Sequence, residues 1–187
     1  ERMNDEALLT IATKIEGHPD NVAAALCGGA TIAWQEVRHG QRVARTVAIQ
    51  VDQRIKALAF IPSNSVATSK ARKLLPDFIP HADAVANSMH SALLVQALSS
   101  RPDLLYIATE DFLHQKYRQD AMPKSFALVN KLRGAGVAAF ISGAGPTVLV
   151  LHTGDPSEVA ELQRAAGDLF SLQALDISGD GASVISS

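Results

Sequence analysis

From Gly134 to Leu151 the chain carries no charged residue, and this run restricts the fold more than any other stretch. A continuous helix of that length and apolarity would nearly cross a bilayer. Gly134, Gly136, Gly143, Gly145 and Pro146 argue against one, since glycine costs a helix interior about 1 kcal/mol and proline about 3 kcal/mol. The run reads instead as two short buried strands, Val137–Ile141 and Val148–Leu151, joined by a glycine-rich loop. Strands this apolar must be covered by other elements.

Composition agrees with a covered sheet. At 47% hydrophobic and 19% charged, 187 residues can build one domain with a sizeable core, or one domain and part of another. The formal net charge of -2 and the lack of any block of like charges leave no electrostatic footprint for nucleic acid. The polar start, Glu1-Arg2-Met3-Asn4-Asp5-Glu6, has no signal-peptide pattern, and nothing else suggests a membrane partner. Cys27 is the only cysteine, so no internal disulfide can form, which suits a reducing cytoplasm. Cys27 is expected as a small buried hydrophobe near a helix end.

Taken in order, Asn4 or Asp5 can cap a helix to about Ile15, with Leu8, Leu9, Ala12 and Ile15 on one stripe. A second helix should begin at Asp20 or Asn21, either of which can cap it, and stop at Gly28. His18, Asp20 and Asn21 crowd its positive end, where an anionic or hydroxyl-bearing ligand would be welcome. Strands follow at Thr31–Glu36 and Arg42–Val51 around a His39-Gly40 turn, with a further strand at Leu58–Pro62. A composition shift over Asp52–Lys56 marks the best candidate domain boundary.

Beyond it, Thr68 can cap a helix that Pro76 ends at Leu75. A long helix from Pro80 to Ser99 should bury Val85, Met89, Leu93, Leu94, Ala97 and Leu98. Helical segments are expected from Pro102 towards Tyr117, from Met122 to Arg133, and from Pro156 to about Phe170. Ser183–Ser186 reads as a closing edge strand. Without a regular βαβα cadence, the class is α+β.

Three segments carry a resemblance. Glu16-Gly17-His18-Pro19-Asp20-Asn21, continuing through Gly28-Gly29, resembles the EGHPDN-x-AxALxGG segment of bacterial homoserine kinases, members of the GHMP kinase superfamily. Ile61-Pro62 followed by Thr68, Ala71 and Arg72 is similar to that family's IPxxxxxTxxAR element. Ile141-Ser142-Gly143-Ala144-Gly145-Pro146-Thr147 is similar to the third GHMP motif.

The resemblance implies that residues 55–187 form the GHMP kinase C-terminal domain, a ferredoxin-like sheet with helices on one face. Residues 1–54 would be the tail of the N-terminal, ribosomal protein S5 domain 2-like domain. The implied activity is ATP-dependent phosphorylation of the homoserine side-chain hydroxyl to O-phosphohomoserine, in threonine biosynthesis. ATP, L-homoserine and Mg2+ are the implied ligands. A homodimer and feedback by threonine would be in keeping with the family, although no sequence feature points to either.

Residue by residue, the resemblance places His18 and Asn21 near the reacting hydroxyl as catalytic and substrate-binding groups. An amide has no useful pKa, so Asn21 would orient rather than deprotonate; Asp20 is an alternative base. Thr68 and Arg72 share a helix face, and the planar fork of an arginine suits an amino-acid carboxylate. By the resemblance a second arginine, Arg118 in Tyr117-Arg118-Gln119-Asp120-Ala121-Met122-Pro123, joins them; without it, Arg118 is an ordinary solvated charge. Ser142, Gly143, Ala144, Gly145 and Thr147 would border the phosphates through backbone amides, though by spacing alone they also fit a tight turn. Glu16 is the candidate Mg2+ ligand, and it and Glu6 equally fit solvated helix charges.

Two family elements, the ATP loop and the first substrate motif, have no counterpart here. No PxxxGLGSS-type ATP loop occurs between Glu1 and Ser187, so the chain reads as the C-terminal portion of a kinase, inactive as a separate molecule. Two alternatives stay open: another small-molecule GHMP kinase, acting on an isoprenoid alcohol or a sugar, and a non-catalytic module that binds an amino acid.

Overall fold

A computed structural model describes residues 3–63, 71, 73–154, 161–164, 166–177 and 179–183. The chain divides into two compact units, one made of residues 1–51 with 177–187 and the other of residues 52–176.

In the first unit, α1 (Asp5–Glu16) is capped by Asn4, whose side chain accepts the Ala7 amide at 2.8 Å. Gly17 ends it at φ 95°, its N–H donating to the Thr13 carbonyl. Then come α2 (Asp20–Cys27) and an antiparallel hairpin of β1 (Ala30–Arg38) and β2 (Gln41–Ile49). His39 and Gly40 both take positive φ, 50° and 76°, which is the two-residue turn that follows the twist of paired strands. Leu9, Ala23 and Ala44 form the small core, with Val22, Leu26 and Ala33 against it. Glu6 pairs with Arg45 at 2.5 Å.

The second unit is built on a four-stranded antiparallel sheet of β3 (Lys56–Pro62), β4 (Ala138–Ile141), β5 (Val148–His152) and β6 (Phe170–Leu175), in the order β4-β5-β3-β6. In the unit's own chain order this is the 4-1-3-2 arrangement of a ferredoxin-like fold, read from the β6 edge. Register aligns two rows across the sheet: Ile141, Val148, Phe60 and Leu172 in one, Ala139, Val150, Leu58 and Ala174 in the other. Most of these join Leu128, Val129 and Leu132 of α5 (Pro123–Gly134) in one core. Fully burying each large side chain there contributes about 1.5–3 kcal/mol. The charge-free run is thus a buried hairpin.

Between β3 and α5 the chain runs through α3 (His81–Ser99), a 3-10 turn (Pro102–Leu104), α4 (Leu105–Ala108) and a 3-10 helix (Gln115–Ala121).

Several elements differ from the sequence reading. Val85 and Met89 are 44% and 59% exposed, because α3 buries Ala97 near its C-terminal end and is not the fully packed helix its apolar pattern suggests. The segment after Pro102 is broken at Asp111, whose carboxylate takes up the amides of Leu113, His114 and Gln115. Lys73, Leu74 and Leu75 form a turn, not a helix end. Residues 161–164 are helical, but Gly167 at φ 64° opens a 3-10 turn (Gly167–Leu169) and Phe170 opens β6, a strand the sequence reading missed. Ser183 is not in a strand, and 184–187 lie outside the described residues.

Candidate active site

In the first unit the candidate residues follow from how two helices meet. Gly17 reverses the chain after α1, His18 sits in the connection, and buried Pro19 occupies the N-cap position of α2 at φ -83°, ψ -16°. This corrects the expected cap. Proline offers no capping side chain, Asp20 is the first helical residue, and its Oδ1 accepts the Asn21 amide at 3.0 Å.

Ala23, on the opposite side of α2, is fully buried against the hairpin core. Glu16, His18, Asp20 and Asn21 are all exposed. The side chains of Glu16, His18 and Asn21 make no hydrogen bond to another described residue, so the connection offers an imidazole, an amide and a carboxylate beside a helix start. The far end of α2 is closely packed: the Ala182 amide donates to the Ala25 carbonyl at 3.0 Å, and a Cβ on Gly28 would lie 2.5 Å from the Asp180 carbonyl carbon.

Cys27 is exposed, contrary to expectation. It is the last residue of α2 and borders an open cleft of about 720 Å³ with Leu8, Leu26 and Thr46.

In the second unit, Ser142–Thr147 connects β4 to β5. Two bonds close the loop on itself, Ser142 N–H to the Thr147 carbonyl and Gly145 N–H to the Ser142 carbonyl, both 2.9 Å. Gly143 and Gly145 take φ 57° and 81°, and the Gly145–Pro146 peptide is cis. The amides of Gly143 and Ala144 are bonded to no other described residue, and Gly143 is exposed. Two successive amides are therefore available to an acceptor.

Arg118 stands behind this loop. It is 8% exposed, not a solvated charge, and Nη1 donates to the Gly143 carbonyl at 2.9 Å. Two further side chains, which the sequence reading passed over, also hold the hairpin. Gln115 Oε1 accepts the Ile141 amide at 2.7 Å, and Ser125 Oγ donates to the Pro146 carbonyl at 2.5 Å. Pro123 at the start of α5 signals that Ser125 lies in a first helical turn; no signal in the sequence names its partner.

Asp111 organises the approach to Gln115. Burial pushes its carboxyl upward, but the hydrogen bonds from His114 and from the Gln115 amide outweigh that and hold it at about 2. Thr68 and Arg72 lie outside the described residues. Among the described residues no group of three or more His, Cys, Asp or Glu could hold a metal ion, so Glu16 stands as a single exposed carboxylate.

Residues 89–172 match the family described as GHMP kinases C terminal. They form a GHMP kinase C-terminal domain. This GHMP domain includes Gln115, Arg118, Ser125 and the 142–147 loop. Over 184 residues, 98% of the chain, the sequence is 48% identical to the homoserine kinase of Streptomyces avermitilis, and equally so to that of Streptomyces coelicolor. The chain spans 58% of the length of each of these relatives.

A solved homoserine kinase structure from Cytophaga hutchinsonii shares the fold, with a TM-score of 0.66 at 22% identity over 84% of this chain and 50% of its own. A structure from Listeria monocytogenes aligns with 100% of this chain and 62% of its own, with a TM-score of 0.65 and 26% identity. The α+β class with a GHMP C-terminal domain is what the sequence reading expected.

Proposed function

We propose that the protein to which this chain belongs is a homoserine kinase that transfers the γ-phosphoryl group of ATP to the side-chain hydroxyl of L-homoserine, on the route to threonine. The observation that carries this reading is the 48% identity to homoserine kinases over 98% of the chain. The site geometry supports it. Residues 1–54 are assigned to the GHMP N-terminal domain and 55–187 to the C-terminal domain.

Phosphoryl transfer through a loose transition state asks a protein chiefly to position groups and to stabilise charge. In the first unit, Asn21 and His18 are exposed hydrogen-bonding groups assigned to the acceptor hydroxyl: the Asn21 amide orients it, and His18 adds a second hydrogen bond. No general base is required of Asn21. In the second unit, the Gly143 and Ala144 amides are assigned to phosphate oxygens, with Ser142, Gly145 and Thr147 shaping the loop around them.

Arg118, and with it Thr68 and Arg72, is assigned to the substrate carboxylate. Glu16 is assigned as one carboxylate ligand of a Mg2+ held otherwise by nucleotide phosphates; it is exposed and, among the described residues, belongs to no group of three or more metal-binding side chains. Bound Mg2+ would neutralise phosphate charge. The same reading places the protein in the cytoplasm as a homodimer, with neither nucleic acid nor membrane as partner. Among the described residues no helix is long and apolar enough to cross a membrane.

The test is a substrate panel of homoserine, mevalonate, galactose and threonine with ATP and Mg2+, run on the protein expressed from its native gene. Phosphate transfer to homoserine in preference to the others is expected, and Asn21→Ala should lower kcat at least about 100-fold, the scale of losing one transition-state hydrogen bond. Preference for another alcohol would move the protein to a different GHMP activity. Binding of an amino acid with no phosphate transfer would make it a binding module.

A further inference from the structure

We infer that Gln115 and Ser125 are positioning residues that set the 142–147 loop for its ligand, an inference that rests on the reading of this loop as the one bordering the nucleotide phosphates. The loop's own bonds, Ser142 to Thr147 and Gly145 to Ser142, close it but do not fix where it stands. Its two ends are held from outside, by side chains of one short stretch of chain. At the entry, Gln115 Oε1 takes the amide of Ile141, the last residue of β4. At the exit, the Ser125 hydroxyl donates to the Pro146 carbonyl, and Ser125 is only 2% exposed.

Among the described residues β4 is an edge strand, paired only with β5, so the outward amide of Ile141 has no strand partner there. Gln115 takes the place of that missing strand. Met122, between the two positioning side chains in sequence, packs its Sδ 2.5 Å from where a Cβ on Gly145 would be, which leaves the loop no room to sink towards α5. Gln115 is in turn held by its own backbone: Asp111 Oδ2 accepts the Gln115 amide. The chain of support therefore runs from the Asp111 turn through Gln115 to Ile141, and separately from the first turn of α5 through Ser125 to Pro146. Neither residue needs to touch a ligand. Their effect is to decide where the Gly143 and Ala144 amides stand.

Hydrogen exchange and kinetics on the protein expressed from its native gene test this together. Gln115→Ala should speed exchange of the Ile141 amide about ten-fold, the scale of losing one buried hydrogen bond. Gln115→Glu keeps an acceptor oxygen and should restore slow exchange. Ser125→Ala should speed exchange of the Ser142 and Gly145 amides while leaving those of β3 and β5 unchanged. Both alanine variants should raise KM for ATP about ten-fold, with kcat and the KM for homoserine moving less.

Unchanged exchange at Ile141, Ser142 and Gly145 in both alanine variants overturns the inference, whatever the kinetics. Faster exchange with an unaltered KM for ATP supports the positioning role and removes the loop from the nucleotide site, so that the functional assignment is what fails. If the unsubstituted protein transfers no phosphate to homoserine, the kinase reading falls, and the exchange data alone still decide whether these two side chains hold the loop.

Discussion

Arg118 carries a buried charge, beside the proposed role at the substrate carboxylate. A guanidinium at 8% exposure is costly unless its donors are used, and the Gly143 carbonyl takes one of them. Arg118→Ala should therefore cost about 1.5–3 kcal/mol in urea denaturation, the scale of a hydrogen bond to a charged group, and should also raise KM for homoserine. Arg118→Lys should recover less than half of either effect, because an ammonium lacks the planar fork. A second residue with a measurable demand is Gly28. At φ 73°, with the Asp180 carbonyl carbon 2.5 Å from a Cβ, Gly28→Ala meets both strain and collision, whereas Gly17 at φ 95° has open space around it. Gly28→Ala should lose about 2–4 kcal/mol and Gly17→Ala only about 1 kcal/mol, measured as shifts in urea midpoint. The sequence pointed to His18, Asn21 and Arg118 through motif resemblance. It could not show that Arg118 is buried, since an isolated arginine in a polar stretch looks the same whether it meets water or a carbonyl 25 residues away.

At the scale of elements, the hairpin of β4 and β5 was legible because an uncharged run broken by glycines leaves few other folds. The first helix was legible through Asn4 and the helical spacing of its apolar residues, although only Leu9 of that stripe is buried and Ile15 is 84% exposed. The crossover from Pro102 to Ala121 was not, since what breaks it is a carboxylate folding back on three amides, and aspartate in sequence does not announce which donors it will find. β6 was hidden for a similar reason: it is defined by its antiparallel pairing with β3, about 110 residues earlier, and no local pattern after Gly167 names that partner. The Asp111 turn has a consequence in acid. Its carboxyl is held at about 2, below its ordinary 3.8, so it stabilises the folded state above about pH 4 and that stability is lost as pH falls through 2. Urea midpoints measured from pH 6 to pH 2 should fall more steeply for the unsubstituted protein than for Asp111→Asn, the two curves converging at the acid end. Parallel curves would show that Asp111 does not carry this contribution.

For the whole molecule, the relatives set an expectation of size. Because the chain spans 58% of the length of the Streptomyces homoserine kinases, the product of the native gene should have an intact mass clearly above the 19.8 kDa of these 187 residues. A mass equal to 19.8 kDa would favour the binding-module reading. The Ala25–Ala182 hydrogen bond joins α2 to the segment that follows residue 176 within the first unit, and the entire second unit is synthesised between them. On the ribosome, α2 therefore cannot acquire its last neighbour until residues 52–176 have emerged, and the earlier unit is the later one to be completed. The β3–β6 pairing eases that wait: Ala57 faces Leu175, so once the intervening unit folds, the growing tail is delivered close to the point where the chain left, and the entropy of closing so long a loop has already been met.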